Sequence, residues 1–279
     1  MIPKADIVAW RHNAPWVSDA QVEQDLVMSR ALVAIFAYAG LAEKLAFRGG
    51  TALHKLYLKP ARRYSEDIDL VQVEAEPIGM VLDKLQEALK EFLGETKPKR
   101  KQTEDSVTLT YRMESEGPPI VPLRLKVEIN TREHFTVKGL QQHPFTIQSR
   151  WFSGSCNIIT FTIEELLATK VRALYQRRKG RDLFDLWLGL TEGEADASEV
   201  VAIFKQYMIA EGQMVDARSY ERNMQDKMKH AGFLSDLNPL VAPNIQYDAH
   251  EAFLLIRKNY SRAFNKLKSY SSQHKTFHA

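Results

Sequence analysis

The hydrophobic pattern changes character once along the chain. Ser18 and Gln21 have the S-x-x-Q spacing of a capping box, and Val22, Leu26, Val33 and Phe36 continue it at helical spacing to about Tyr38. Gly49-Gly50 interrupts the pattern, and a short helix is predicted over 52–58, with Pro60 as its stop. Residues 66–73, EDIDLVQV, read as a strand and 80–93 as an amphipathic helix. Val107 to Met113 and Leu123 to Ile129 alternate with period two, separated by a Pro118-Pro119 loop, and 157–161 is a further candidate strand. Beyond Phe161 the period becomes helical. Thr162 with Glu165 forms a second capping box, and helices are predicted over 163–178, 181–190, 198–210, 217–230 and 248–270. There is no internal repeat and no low-complexity tract. The expectation is α+β: a core with an N-terminal helix over 1–160 and a helical domain over 161–279.

Composition narrows the class. The 279 residues are 44% apolar and 26% charged, the balance of a folded globular protein large enough to bury a core. No run approaches 18 apolar residues, so no membrane span is expected. The segment MIPKADIVAWRHNAPW lacks the apolar stretch of a secretory signal, and a cytoplasmic protein is expected. A single cysteine, Cys156, excludes an internal disulfide and argues against a thiolate zinc site. The net charge of +3 says little, but its distribution is uneven. Cations cluster at Lys97, Lys99, Arg100 and Lys101, from Lys170 through Arg172, Arg177, Arg178 and Lys179 to Arg181, and along Arg257, Lys258, Arg262, Lys266, Lys268 and Lys275; acid collects between Glu192 and Glu199. Each cluster alone reads either as a solvated face or as a track for a polyphosphate backbone.

Five features carry candidate chemistry. Gly49-Gly50-Thr51 precedes a helix start, where glycines admit close backbone approach and free N–H groups favour phosphate, although paired glycines also make ordinary turns. Asp67 and Asp69 flank Ile68 in a strand, so both carboxylates share one face while Ile68 and Leu70 take the other. Two such acids repel unless a cation sits between them, and Mg²⁺ suits oxygen ligands and leaves positions for phosphates; the alternative is an edge strand with solvated acids. Glu128 lies on the polar face of its strand and becomes a third carboxylate if that strand neighbours the aspartates. Lys170 falls inside the apolar stripe of Ile163, Leu166, Leu167, Val171 and Leu174, so its ammonium needs an acid or a phosphate, or must snorkel outward. Asp182 and Asp185 share one side of a helix rich in Leu, Phe and Trp. Asp182 could be the N-cap of that helix, whereas Asp185 invites a pairing with Lys170 or a nearby arginine.

FRGGTALHKLYLKPARRYSEDIDLVQV, the VEIN around Glu128, the Lys170 helix and GRDLFDLW at 180–187 together resemble the signature of the AbiEii/AbiGii family of nucleotidyltransferase-like toxins, which includes the MenT toxins. The resemblance spans about residues 20–190 and implies a polymerase-β-like nucleotidyltransferase core with a mixed sheet, followed by a helical C-terminal domain. It implies that Gly49, Gly50 and Thr51 cradle the phosphates of an NTP, with Ser65 and Arg63 also near the nucleotide. Asp67 and Asp69 would hold Mg²⁺, with Glu128 as the candidate third ligand; Lys170 would contact the triphosphate, and Asp182 or Asp185 would be the motif acid of the second half. Fifteen residues separate Thr51 from Asp67, more than in minimal nucleotidyltransferases, and this insert brings Lys59, Arg62 and Arg63. The implied activity is transfer of a nucleotide to the 3′ end of tRNA, stopping translation, by the toxin of a bacterial toxin–antitoxin or phage-defence pair. A cognate antitoxin follows as partner, either a direct binder or a kinase acting near Ser65. Two other readings stay open: transfer of a nucleotidyl or phosphoryl group to a protein hydroxyl, and a non-catalytic nucleotide- or RNA-binding module.

Overall fold

The computed structural model describes residues 2–117 and 119–275, with side chains described as far as 266. Pro118 of the expected loop, and the side chains of Lys268 and Lys275, lie outside that part. The chain folds as two units, Met1–Phe161 with Ala242–Asn244, and Thr162–Val241 with Ile245–Ala279.

The first unit opens with helices α1 (Lys4–Trp10) and α2 (Asp19–Ala37). Strand β1 (Leu45–Arg48) runs straight into α3 (Gly49–Ala52), and that helix widens to π geometry over Leu53–Tyr57. Then follow β2 (Asp67–Gln72), α4 (Gly79–Leu93), β3 (Lys99–Gln102), β4 (Ser106–Glu114), β5 (Pro122–Asn130), β6 (Gln141–Gln148) and β7 (Ser153–Thr160). The seven strands form one mixed sheet in the order β3-β4-β5-β2-β1-β7-β6. β2 pairs with β5, and β1 with β7, in parallel; the other pairings are antiparallel. The fold is therefore α+β, as the hydrophobic periodicity implies.

The inward-facing residues explain the sheet. Ile68, Leu70, Leu109, Leu125, Val127 and Ile129 are each at most 1% exposed and cover one face, on which α2 packs. Phe36 of α2 and Phe47 of β1 meet with ring centroids 6.4 Å apart. α2 is buried nearly all round, because α1 and α4 lie against it as well.

Local departures from the expected elements have identifiable causes. Ser18 flanks α2 in extended conformation, but its hydroxyl makes no cap bond; the first turn closes on its carbonyl, which accepts from Gln21 N at 3.1 Å. The helix after the glycines begins on Gly49 rather than at 52, because Gly49 reverses the chain at φ 80°. α1, β1, β3 and β6 carry no clear periodic signal. β1 is four residues long, β3 reads KRKQ and is exposed throughout, and β6 is an edge strand interrupted by Pro144.

The second unit consists of α5 (Ile163–Gln176), α6 (Gly180–Thr191), α7 (Ala197–Ala210), α8 (Ala217–Lys227), α9 (Ala231–Ser235) and α10 (Ala249–Lys275). Thr162 Oγ1 accepts from Glu165 N at 3.2 Å, so this capping residue works as its spacing predicts. Asp196 and Asp216 cap α7 and α8 in the same way. Phe184, Phe204, Tyr207, Tyr260 and Phe264, all nearly inaccessible, fill the core between α5, α6, α7 and α10. Among the described residues no helix is long and apolar enough to cross a membrane.

Candidate active site

The glycine turn and the aspartate strand are neighbours by sheet topology. β1 and β2 are antiparallel, and their register sets Arg48 opposite Asp69. The next residue, Gly49, brings its backbone against the Asp69 side chain: a Cβ at this position would collide with Asp69 Oδ2, Cβ and Cγ. Glycine is required here twice over, by its positive φ and by this approach. Thr51 is turned inward and 1% exposed. Its Oγ1 donates to the Asp67 carbonyl at 2.5 Å and shares a hydrogen bond with Ser65 Oγ at 2.8 Å. The Thr51 hydroxyl is thus committed to fixing the start of β2, and only its backbone is left to meet a ligand.

Period-two alternation places Asp67 and Asp69 together on the polar face, with Ile68 and Leu70 buried behind them. The β2–β5 register sets Asp67 beside Lys126 and Asp69 beside Glu128. Glu128 is therefore brought to the aspartates by strand neighbourhood. Its carboxylate is drawn to Lys126, however: Lys126 Nζ lies 3.1 Å from Asp67 Oδ2 and 3.0 Å from Glu128 Oε2. Partial burial alone would lower the Lys126 pKa, but the two carboxylates outweigh it and raise it above its ordinary value. Among the described residues no three acidic, histidine or cysteine side chains converge as a metal cluster. Between Asp67 and Glu128 the ammonium of Lys126 holds the position that a shared cation would take. That same bridge shows that Asp67 and Glu128 accept a cation between them. Two carboxylates on one strand face are a fitting oxygen donor set for Mg²⁺, which takes its other ligands from water and phosphate.

A second ion pair fixes the helix that carries the glycines. Asp25 on α2, 2% exposed, accepts from Trp10 Nε1 at 2.8 Å and from Lys55 Nζ at 2.7 Å; Lys55 also donates to Ser29 Oγ at 2.8 Å. Lys55 lies in the π turn that follows Thr51, so Asp25 ties the glycine segment to the central helix. Sequence reasoning missed this anchor, as it missed Lys126. Arg63, expected near a nucleotide, is 3% exposed and donates to the Tyr64 carbonyl at 3.1 Å. Lys59, from the same insert, is exposed.

In the helical unit, Lys170, Asp182 and Asp185 come together. Lys170 Nζ lies 3.2 Å from Asp182 Oδ1 and 3.0 Å from Asp185 Oδ2. Arg177 Nε reaches Asp182 Oδ2 at 2.8 Å and its Nη2 reaches Oδ1 at 2.9 Å. Both acids are inaccessible and Lys170 nearly so. Asp182 does not cap α6, which begins two residues earlier at Gly180. Burial would raise the Asp182 carboxyl, but Lys170 and Arg177 override it and hold the pKa below 3.8. Asp185 and Asp182 thus share one ammonium, and Arg177 completes the neutralisation.

With this geometry in hand, the relatives are informative. The family model described as nucleotidyl transferase AbiEii toxin of a type IV toxin–antitoxin system matches residues 30–260. The fold is similar to that of an H. pylori protein described as a candidate nucleotidyltransferase, with TM-score 0.58 and 20% identity over 91% of this chain and 99% of that one. It is also similar to MenT4, a nucleotidyltransferase toxin from Mycobacterium tuberculosis, with TM-score 0.61 and 16% identity over 94% of this chain and 90% of that one. No curated protein matches the chain in sequence.

Proposed function

Since the chain belongs to the AbiEii nucleotidyltransferase toxin family, we propose that it transfers a nucleoside monophosphate from an NTP to the 3′-hydroxyl of tRNA, with Mg²⁺, and so blocks translation in the cytoplasm. The observation that carries this reading is the contact of Gly49 with Asp69: the bare backbone of the glycine turn lies directly against the side chain of one of the two aspartates.

The backbone of Gly49 to Thr51 cradles the phosphates of the NTP. Asp67 and Asp69 hold the metal, and Glu128 accepts the proton of the attacking hydroxyl. When bound, Mg²⁺ supplies positive charge to the phosphates and acidifies that hydroxyl. The hydroxyl oxygen forms its bond to the α-phosphorus as the bond to the β-phosphate oxygen breaks, and pyrophosphate leaves. Within the helical unit, Lys170 stays paired with Asp182 and Asp185 and braces α5 against α6. A cognate antitoxin restrains the toxin, by direct binding or through a kinase acting on Ser65. Ser65 Oγ lies 2.8 Å from Thr51 Oγ1, so a phosphate there would break that bond and add negative charge beside the glycine turn.

The test is incubation of the pure protein with each labelled NTP and total tRNA, with and without Mg²⁺. The expected outcome is a labelled RNA band with the wild type and a loss of about a thousandfold or more in Asp67→Ala, about 4 kcal/mol of barrier. No transfer by the wild type from any NTP, or the same labelling by Asp67→Ala, overturns the proposal. Label on protein in place of RNA reassigns the acceptor.

A further inference from the structure

The polar sheet face continues beyond the aspartates in strict register. From β2 to β5, Asp67 neighbours Lys126 and Asp69 neighbours Glu128. From β5 to β4, Lys126 neighbours Thr110, Glu128 neighbours Thr108, and Arg124 neighbours Arg112. From β4 to β3, Thr110 neighbours Lys99 and Thr108 neighbours Lys101. Residues two apart on a strand share a face, so Lys99, Lys101, Arg112 and Arg124 stand on the face of Asp67 and Asp69. Three strand steps of about 4.8 Å put the outer lysines roughly 14 Å from the aspartates.

The charges on this face are not arranged for stability. Arg112 and Arg124 are directly opposed across an antiparallel pair, which is repulsive. Arg124 reaches Glu66 at 3.4 Å, but the exposed side chains of Lys99, Lys101 and Arg112 make no ion pair and no hydrogen bond among the described residues. Between the cations the floor is low and uncharged, formed by the half-buried Thr108 and Thr110. A strip of cations, three of them without an ion pair among the described residues, leading to a carboxylate pair is complementary to a polyanion that presents a hydroxyl at its end.

We propose that this face is the acceptor track, on which the single-stranded 3′ end of an RNA crosses β3, β4 and β5. Its phosphates lie on Lys99, Lys101, Arg112 and Arg124, and its terminal ribose reaches Asp67 and Asp69. The inference rests on the transferase reading above. It adds the binding residues, and it predicts that the RNA is gripped chiefly by its backbone, because the strip consists of cations and threonines and has no aromatic side chain on which a base could stack.

The experiment measures binding of a fluorescent single-stranded oligoribonucleotide by anisotropy across a salt series, together with NTP binding. The proteins are the full-length wild type, Lys99→Glu/Lys101→Glu, Arg112→Glu and, as a charge-matched control, Lys258→Glu/Arg262→Glu on the exposed face of α10. The sheet variants are expected to weaken RNA binding by about tenfold or more and to lower the slope of log affinity against log salt by about 0.7 for each phosphate no longer neutralised. NTP binding and the control variant's RNA binding should match the wild type. Equal losses in the control and the sheet variants would mean that net charge alone attracts RNA, and unchanged affinity in the sheet variants would remove these residues from the interface; either result overturns the track and leaves the transferase reading standing. If the wild type transfers nucleotide to protein and binds no RNA, the track falls and the acceptor of the transferase reading is reassigned. Tighter binding of an acidic peptide than of RNA by the wild type would also overturn the track.

Discussion

Asp67, Glu128 and Lys126 in the sheet unit and Asp182, Asp185 and Lys170 in the helical unit are the same inventory, two carboxylates sharing one ammonium, held at different depths. The distances hardly differ: 3.1 and 3.0 Å around Lys126, against 3.2 and 3.0 Å around Lys170. Exposure differs widely. The side chains of Asp67, Glu128 and Lys126 are 33%, 39% and 30% exposed, whereas Asp182 and Asp185 are 0% and Lys170 8%. Water screens the first group, so its ammonium can be exchanged for another cation at little cost. In the second group the ammonium cannot leave without depriving two inaccessible carboxylates of a shared countercharge. The open group is suited to binding and releasing ions; the closed one is suited to keeping a cation charged and in one place.

The largest effect expected from this contrast is on stability. Lys170→Met removes the ammonium between two inaccessible carboxylates and should lower the unfolding free energy by about 3–5 kcal/mol, read from urea titration. Arg177 still neutralises Asp182 in that variant. A change below about 1 kcal/mol would mean that the helical cluster is as loosely held as the open one, and the contrast would vanish.

Buried lysines within the helical unit offer a finer comparison. Lys227 is 6% exposed, yet among the described residues its ammonium has no carboxylate in contact: it donates to the Tyr175 carbonyl at 2.8 Å and to Asn223 Oδ1. Burial, reinforced by Arg178 and only partly offset by Asp182, lowers its pKa from 10.5 to about 8. The unfolded chain therefore binds more protons than the folded one between pH 8 and 10.5, and stability attributable to Lys227 rises with pH across that window. Lys227→Met should abolish this rise, which amounts to as much as about 3 kcal/mol at about 1.4 kcal/mol per pKa unit. Urea unfolding of both proteins at pH 7.5 and 10 measures it (roughly the two ends of the window); a constant difference between them would refute the assignment.

The sequence made some of this legible. The alternation of Asp67, Ile68, Asp69 and Leu70 reveals a shared polar face, because burial on one side of a strand leaves a period-two trace. Lys170 in the middle of an apolar stripe demands a countercharge, and Asp182 and Asp185 supply it. What was hidden depends on contacts between distant segments. The place of Glu128 beside Asp69 requires that β5 adjoin β2, and the bridging role of Lys126 requires their parallel register; neither leaves a local trace. Strand β1 is a four-residue apolar run between a helix and a glycine pair, indistinguishable locally from the end of that helix. β3 is all polar because it lies at the sheet edge with both faces exposed. The Thr51 hydroxyl illustrates the opposite error: a residue type suited to a phosphate is turned inward to hold β2.

The smallest stability effect belongs to the open group and says most about its use. Lys126→Gln breaks two partly screened ion pairs and should lower the unfolding free energy by no more than about 1 kcal/mol. It also leaves Asp67 and Glu128, diagonal to each other on adjacent strands, without the ammonium that neutralised them, so their mutual repulsion is relieved by any cation that takes its place. A ligand that binds only the folded protein raises its stability in proportion to occupancy, so Mg²⁺ should raise the thermal midpoint of Lys126→Gln more than that of the wild type. The same comparison with Lys126 intact and Asp67→Asn should show the rise diminished, because a donor oxygen has lost its charge. Equal Mg²⁺ responses in all three proteins would mean that the cation seen between Asp67 and Glu128 is merely their lysine, and that the carboxylate face holds no metal.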